Sequence, residues 1–230
     1  PGQVYVINQN GIIFGGSSQV NVHTLVASSL PINENLINRG LLNNPDAQFL
    51  FSALALPDGS KGPTPAFTPP APPPGGRYGD VTVQPGAQLI APTSDAKVGG
   101  RVMLVGANVT NAGSISTPDG QTILAAGLQV GIDSHATSDP SLRGLDVWVG
   151  VVKDSTQPGL GEYAGTATNS GVIDVPRGNS TITGKTVNQF GSIEGSTSVS
   201  LNGRIDLIAS YNATPNSAYD PVNFPDQAPF

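Results

Sequence analysis

The chain has two histidines, His23 and His135, and no cysteine. Zinc sites are built mainly from His and Cys ligands, and no His-Glu-x-x-His motif occurs. Asp133 and Ser134 precede His135, which gives the residue types of a Ser-His-Asp triad. No Gly-x-Ser-x-Gly nucleophile turn accompanies them. These residues therefore predict neither a metal centre nor a nucleophilic catalyst, and His23 is interpreted as a turn or surface residue.

Four aspartates, Asp133, Asp139, Asp146 and Asp154, are spaced so that a repeating fold would place them on adjacent coils. Glycosidases use two carboxylates about 5–9 Å apart, so such a set would suit a polysaccharide-active enzyme. Most surface aspartates here are instead expected in turns, as with Asp58 and Asp119, which lie between Pro and Gly, where the side chain stabilises the turn itself. Calcium loops of the Asp-x-Asp-x-Asp-Gly type are absent from the sequence. We expect no catalytic residue, no metal and no cofactor.

Composition excludes several classes of protein. The 230 residues include 29 Gly and 21 Pro, only 11% are charged, and the net charge is −6. Nucleic-acid binding depends largely on clustered positive charge, so a nucleic-acid partner is not expected. The absence of cysteine excludes a disulfide framework. The longest apolar runs are far shorter than the roughly 20 residues of a membrane helix, so no membrane span is expected.

Short apolar runs closed by Gly, Asn or Asp-Gly recur along the chain and are typical of strands joined by tight turns. A unit of the form Asn-x-Gly-x-Ile accompanies them, and Gly171 and Gly191 lie 20 residues apart. A fixed period of this length is typical of a solenoid. The sequence therefore predicts an all-β chain coiled as a parallel β-helix. An antiparallel sandwich with Asn-Gly hairpins is the alternative.

The repeat also predicts how coils would stack. Equivalent strands would lie about 4.8 Å apart, so that like residues align. Asn side chains would form a ladder, Gly would supply the positive φ of the turn, and the following Ile or Val would point into the core. Roughly 180 repeat residues predict about nine coils. The predicted ladder residues are Asn38, Gly40, Asn111, Gly113, Asn169, Gly171, Gly191 and Gly203.

Two segments interrupt the pattern. Residues 57–79 begin with eight prolines in twenty positions, which excludes a central strand. We expect an extruded loop of polyproline II character there. Four prolines between residues 211 and 230 predict an extended tail. The expected organisation is therefore coils over residues 1–56 and 80–210, separated by the loop and followed by the tail.

Two local assignments accompany this organisation. Residues 47–56 have the length of a helix of two to three turns, and whether they form one stays open. Trp148 lies between Val147 and Val149, so strand alternation turns it outward. We expect it to support the Pro-rich loop, and stacking on a sugar ring is the alternative.

The segment Asn8-Gln9-Asn10-Gly11-Ile12 resembles the Asn-Pro-Asn-Gly-Ile signature of the filamentous haemagglutinin family of two-partner secretion exoproteins. Asn33-Glu34-Asn35-Leu36 is similar to the second signature, Asn-Pro-Asn-Leu. Gln9 and Glu34 replace the central prolines of the two signatures. The turn residues that this resemblance implies are Asn8, Asn10, Gly11, Ile12, Asn33, Asn35 and Leu36. In the first turn, Gly11 is expected to take positive φ and Asn10 to bond backbone groups.

The resemblance covers most of residues 3–210 without the Pro-rich insertion, and it implies a right-handed, single-stranded parallel β-helix. It also implies export through an outer-membrane two-partner transporter, a location outside the cell or on the bacterial surface, and a role in adhesion. Because the sequence lacks an initiator Met, we expect a piece of a larger exoprotein. A host-cell or glycan ligand and stacking of copies are the other expected partners. A polysaccharide-active β-helix enzyme and an end-to-end filament subunit are the alternatives.

Overall fold

A computed structural model describes residues 2–39, 46–57, 66–134, 144–155, 161–197, 203–220, 223–224 and 227–230. Nearly all regular structure in these residues is β-strand, and the single helix among them has six residues. In chain order the elements are β1 Gln3–Ile7, β2 Ile12–Phe14, β3 Gln19–Asn21, β4 Thr24–Ser28, α1 Glu34–Arg39, β5 Phe51–Ser52, β6 Val81–Val83, β7 Gln88–Ile90, β8 Arg101–Gly106, β9 Val109–Asn111, β10 Ser114–Ser116, β11 Gln121–Ala126, β12 Gln129–Ser134, β13 Leu145–Val149, β14 Thr166–Asn169, β15 Val172–Pro176, β16 Asn179–Gly184, β17 Thr186–Gln189, β18 Ser192–Ser196 and β19 Arg204–Ala209.

Three parallel sheets carry most of the strands. Sheet I has the order β1-β4-β8-β11-β16-β19, sheet II the order β2-β6-β9-β14-β17, and sheet III the order β3-β7-β10-β15-β18. Along the chain, strands enter sheets I, II and III in rotation, so each sheet gains one strand per circuit. The predicted all-β chain with parallel stacking is confirmed, and the arrangement is compatible with a parallel β-helix. The antiparallel sandwich is wrong for these sheets, since their strand pairs are parallel.

The circuit length follows from the register. Arg101 in β8 pairs with Gln121 in β11, twenty positions later. Aliphatic side chains then align in columns that fill the interior, and the column of sheet III contains Leu89, Ile115 and Ile173, each fully buried. The inward position two residues after the repeat glycine is therefore confirmed at Ile115 and Ile173. Burial of such side chains is the main stabilising contribution to stacking.

The four central strands of sheet I are buried on both faces. Leu104 and Leu124 belong to the interior core, whereas their neighbours Met103 and Ile123 belong to a second core on the outer face. A strand covered on both faces needs apolar residues at every position rather than at alternate ones. The uninterrupted apolar runs of β8 and β11 reflect this double burial.

Two insertions between the circuits build that outer layer. The first lies between β4 and β6 and contains α1 and β5, and the second lies between β11 and β14 and contains β12 and β13. Strand β12 pairs antiparallel with both β13 and β5, which forms a three-stranded side sheet. Because the insertions consume so many residues, sheet I has six strands in the described chain. The prediction of about nine coils is therefore wrong.

The Pro-rich insertion contacts the outer layer through its described part. Residues 58–65 lie outside the described residues. Phe67 bridges antiparallel to Leu56, and Tyr78 is buried in the outer core. Residues 47–56 contain the short strand β5 and no helix. No helix in the described chain is long and apolar enough to cross a membrane.

The C-terminal tail packs on the side sheet. Asn212 N–H donates to the carbonyl of Gly150 at 2.8 Å, and the Tyr219 hydroxyl donates to Asp133 Oδ2 at 2.5 Å. The ring of Phe230 lies 6.1 Å from that of Trp148, centroid to centroid. Val147 and Val149 are buried and Trp148 is less so, as predicted. The ring contact of Trp148 is with the tail, where the sequence predicted the Pro-rich loop.

Candidate ligand-binding cleft

A cleft of about 730 Å³ lies where the chain passes from sheet III to sheet I. Three successive circuits supply its walls through the segments before β8, β11 and β16, and Gly144 before β13 closes one side. Volumes of this size are typical of sites that hold small organic ligands. The cleft is lined by Thr93, Lys97, Val98, Gly99, Arg101, Asp119, Gly120, Gln121, Gly144, Arg177 and Asn179.

The floor of the cleft is a polar row on sheet I. Arg101, Gln121 and Asn179 are register partners on three neighbouring strands. Gln121 is fixed by Leu145, because its Nε2 donates to the Leu145 carbonyl at 2.9 Å and its Oε1 accepts from the Leu145 N–H at 2.8 Å. The side sheet therefore holds the floor in place.

The rim contains three residues in the left-handed backbone region. Lys97, Asp119 and Arg177 have φ values of 57°, 58° and 59°. Only two other non-glycine residues of the described chain, Ala47 and Asn212, have positive φ. An L-residue in this region costs about 1–2 kcal/mol relative to the right-handed region. Such strain clusters at ligand-binding sites, because the surrounding fold has to hold it in place.

Asp119 and Arg177 form a two-pronged ion pair across adjacent circuits. Arg177 Nε donates to Asp119 Oδ1 at 2.6 Å, and Nη2 donates to Oδ2 at 2.8 Å. The bond from Arg177 to Asp119 raises the pKa of the guanidinium. Thr93 Oγ1 also donates to Asp119 Oδ2, at 3.0 Å. This carboxylate, the only acidic side chain in the described lining, is therefore already engaged.

The positive charges of Arg101 and Lys97 are not matched in the same way. Within the described residues, no carboxylate lies within ion-pair distance of either side chain. Arg101 is partly buried, and loss of hydration lowers the pKa of its guanidinium. A partly desolvated cation without a counter-charge is costly and is stabilised by an incoming anion. The cleft is therefore suited to a negatively charged ligand.

Sequence reasoning did not find this site. Lys97 and Arg101 are close in sequence, but Asp119 and Arg177 come from later circuits, and only the stacking of circuits brings them to the same cleft. Asp119 was assigned to a stabilised turn, which is correct but incomplete. A usable signal was the polar residue that precedes a corner glycine in successive circuits, as Asp119 precedes Gly120 and Arg177 precedes Gly178.

The first signature turn lies between β1 and β2, where sheet I passes to sheet II. Gly11 has a φ of 105°, as predicted, and its N–H donates to the Asn8 carbonyl at 2.9 Å. The side-chain acceptor is Asn8 and not Asn10, since Asn8 Oδ1 accepts the Asn10 N–H at 3.1 Å. Ile12 is buried in the interior core and its N–H donates to the Asp80 carbonyl at 2.9 Å. The turn is thus tied to the next circuit.

The second signature lies in the first insertion rather than at a corner of the circuits. Asn35 and Leu36 are in helix α1, and Asn33 precedes it. The Asn33 carbonyl accepts from Leu36 N–H at 3.1 Å, and Leu36 packs in the outer core. The resemblance implied a turn here, and the structure has a short helix. Pro in place of Glu34 would begin that helix at a position where Pro is tolerated.

Part of the predicted ladder forms where sheet II passes to sheet III. Asn111 Nδ2 donates to Asn169 Oδ1 at 2.8 Å, and Asn169 Nδ2 donates to Gln189 Oε1 at 3.1 Å. We call this row, with Gly113, Gly171 and Gly191 beside it, the amide corner. Asn38 lies on α1, and Gly40 lies outside the described residues.

The glycines of the amide corner do not have positive φ, so that prediction is wrong. Glycine is needed at these positions because the circuits stack closely. A Cβ on Gly171 would meet the Gly113 carbonyl, and one on Gly191 would meet the Gly171 carbonyl. Gly203 lies where sheet III passes to sheet I, and a Cβ there would lie 3.0 Å from the Gly178 carbonyl oxygen.

The remaining candidate residues do not converge on one site. Asp133 and Asp146 are opposite each other in the antiparallel pair β12–β13, so the prediction that they lie on adjacent coils is wrong. Asp139 and His135 lie outside the described residues. His23 Nδ1 lies 3.2 Å from the Pro92 carbonyl oxygen. In the described chain, no group of three His, Cys, Asp or Glu residues is placed to hold a metal ion.

Comparison of the chain with protein-family models, with curated proteins and with solved structures finds no match. The resemblance to the filamentous haemagglutinin family therefore depends on the signature residues, and membership of that family remains a proposal.

Proposed function

We propose that this chain is a segment of a large secreted or cell-surface exoprotein, exported through an outer-membrane partner transporter and acting in adhesion or as a surface scaffold. Its three parallel sheets would close into a right-handed, single-stranded β-helix. The observation that carries the proposal is the signature turn of Asn8 to Ile12. It lies at a corner of a parallel-stacked circuit, and its hydrogen bonds link it to the next circuit.

The layered architecture supports an extracellular scaffold. Stacked circuits bury aliphatic columns without any disulfide, and they leave a surface of neutral polar residues. In the described chain the two insertions pack on the outer face of sheet I, and the tail packs on the side sheet. A rod with one decorated face can present a binding surface while the other faces serve as structure.

Cell localisation tests the proposal directly. Antiserum raised against the purified chain should label intact cells or the culture medium of the source organism, and protease added to intact cells should remove the cell-bound signal. Deleting the partner transporter should abolish both signals. Labelling that requires cell lysis would contradict export.

The proposal also holds that the chain binds without catalysing a reaction. Glycoside hydrolysis needs two carboxylates, whereas the described lining of the cleft offers Asp119 alone, held by Arg177 and Thr93. Incubation with acidic and neutral polysaccharides should therefore release no new reducing ends or unsaturated products. Turnover that disappears in Asp119→Asn would favour the enzyme instead.

End-to-end stacking is a second candidate because the outermost strands of sheet I expose apolar side chains. Tyr5 and Ile7 on β1 are each 38% exposed, and Leu207 on β19 is 48% exposed. Unpaired strands with apolar side chains favour addition of a further strand. Sedimentation should then give a mass that rises with concentration, and Leu207→Lys should abolish the rise. A constant monomer mass would exclude this candidate.

A further inference from the structure

We infer that the cleft between sheets III and I binds an acidic oligosaccharide, with Arg101 receiving a carboxylate of the ligand and Lys97 a second charge at the rim. The inference rests on the proposed function in one respect only, which is that the protein would meet such a ligand outside the cell. Binding is measured on the purified chain, so its failure is distinguishable from failure of the localisation experiment.

Charge is the first argument. The chain carries −6 overall with only ten Lys and Arg residues, yet three of these line one cleft. Asp119 is paired with Arg177, so Arg101 and Lys97 remain as uncompensated positive charges among the described lining residues. A guanidinium can donate two parallel hydrogen bonds to a carboxylate, which gives both affinity and orientation.

Shape and lining are the second argument. The volume of about 730 Å³ is much larger than a single inorganic anion needs, and Arg101 and Lys97 lie on the floor and the rim rather than at one point. Asp119 and Arg177 are paired with each other, and the other polar side chains of the described lining, Thr93, Gln121 and Asn179, are uncharged, which suits a ligand that carries hydroxyl groups as well as carboxylates. No aromatic side chain is present in the described lining, so a nucleobase would lack its usual stacking partner.

Backbone strain is the third argument. Three successive circuits hold Lys97, Asp119 and Arg177 in the left-handed region, although glycine at these positions would relieve the strain. A fold that maintains charged side chains at strained positions retains them for something other than stability.

The test uses isothermal titration calorimetry with tri-galacturonate, with neutral galactotriose and inorganic phosphate as comparison ligands. We expect tri-galacturonate to bind with a dissociation constant of about 1 mM or tighter and to weaken as NaCl is raised. Galactotriose should show no binding. Phosphate binding as tight as that of tri-galacturonate would overturn the saccharide assignment in favour of a simple anion site, and equal binding of galactotriose would overturn the role of charge.

Two cleft variants and one control locate the binding. Arg101→Gln should weaken tri-galacturonate binding about tenfold or more. Since Arg101 lies in sheet I and its replacement can affect folding, Lys97→Gly provides the second variant. Lys97→Gly should weaken binding about threefold without lowering the thermal unfolding midpoint, because it removes charge and strain together. Lys153→Gln removes the same charge outside the cleft and should leave affinity within about twofold. Unchanged affinity in both cleft variants would overturn the inference.

Discussion

Successive circuits stack in different ways at two corners of the fold, the amide corner and the corner that carries the cleft, which we call the cleft corner. At the amide corner, where sheet II passes to sheet III, side-chain amides bond from circuit to circuit and the adjacent glycines stack closely. At the cleft corner, where sheet III passes to sheet I, circuits also stack through glycines, but charged residues precede them in a strained conformation. The amide corner satisfies its polar groups internally, whereas the cleft corner leaves positive charge exposed to a ligand.

This difference shows how a repetitive fold can carry a specific site. Stacking fixes the backbone of every circuit at about the same spacing, so side chains from successive circuits form a row. When the row is self-complementary, as with Asn111 and Asn169, it contributes stability. When it combines Lys97, Arg101 and Arg177, it creates a charged surface at some cost in strain.

The largest expected effect comes from adding one methyl group to the amide corner. Gly171→Ala places a Cβ against the Gly113 carbonyl, and both groups are backbone, so neither can rotate away. We expect a loss of about 3 kcal/mol or more in the free energy of unfolding. Equilibrium urea unfolding measures this loss.

Gly195→Ala provides the matched control. Its Cβ would have no neighbour closer than 3.7 Å, so its stability should stay within about 0.5 kcal/mol of the parent. Similar losses in the two variants would show that close stacking is not what selects glycine at the amide corner.

Removing the central amide tests the ladder itself. Asn169→Ala leaves Asn111 Nδ2 without its acceptor and Gln189 Oε1 without its donor. Because Asn111 and Asn169 are fully buried, we expect a loss of about 2–3 kcal/mol. Asn188→Ala, which removes one bond to Thr168 at a less buried position, should cost less than about 1 kcal/mol. Equal losses would mean that the ladder contributes no more than an ordinary surface bond.

An alkaline titration tests how the tail is held on the side sheet, a region distinct from both corners. Burial, together with the bond to Asp133, raises the pKa of Tyr219 above its ordinary value near 10. The unfolded chain therefore loses this proton first as pH rises above about 10, so the stability contributed by Tyr219 is present below that pH and declines above it. Trp148, the only tryptophan, lies near Phe230 of the tail and reports its release by fluorescence.

Tyr219→Phe should cost about 1–2 kcal/mol at neutral pH and reduce the alkaline loss. Part of that loss should remain, since burial also raises the pKa of Tyr78 and Tyr163. If the alkaline change in Trp148 fluorescence is identical in the parent and the variant, the bond between Tyr219 and Asp133 does not hold the tail.

At the cleft corner we expect a substitution to raise the free energy of unfolding, whereas the substitutions above lower it. Lys97 is exposed and has a φ of 57°, so Lys97→Gly should relieve strain and raise the free energy of unfolding by about 0.5–1 kcal/mol. Lys97→Ala keeps the strain while removing the same charge, and should leave stability unchanged within about 0.5 kcal/mol. Stabilisation by Ala equal to that by Gly would show that charge, and not backbone conformation, sets the cost. Urea unfolding of both variants checks this.

The sequence predicted the stacked circuits because their signal is local and repeated. The 20-residue spacing of Gly171 and Gly191, and the inward Ile two residues later, follow from the geometry of one circuit. The outer layer could not be predicted in this way. Strand β5 comes from one insertion and β12 from another, and nothing in the short sequence of either specifies its partner.

The candidate site could not be predicted from the sequence for a related reason. Each lining residue has an ordinary local explanation, as Asp119 does in its turn, and the charge imbalance exists only after three circuits are stacked. The two insertions also disturb the period, so Gln121 and Asn179 are register partners although they are 58 positions apart. A search at a fixed period of 20 residues does not align them.

The smallest effect is expected from Gln9→Pro in the signature turn, which lies at neither of the two corners compared above. Asn8 and Gly11 are the first and last residues of a four-residue turn closed by the bond from Gly11 N–H to the Asn8 carbonyl. Gln9 is its second residue, where Pro is favoured, and its carbonyl, which accepts from Gly79 N–H, is retained in Pro. Gln9→Pro should therefore be neutral or raise the free energy of unfolding by up to about 1 kcal/mol, because it restricts the unfolded chain. Asn8→Ala, which removes the side-chain acceptor for Asn10 N–H, should instead lower it by about 0.5–1.5 kcal/mol. Urea unfolding of the two variants measures both signs. If Gln9→Pro proves the more damaging, the turn is not the one that the signature specifies, and the proposed kinship with the two-partner secretion exoproteins loses its main structural support.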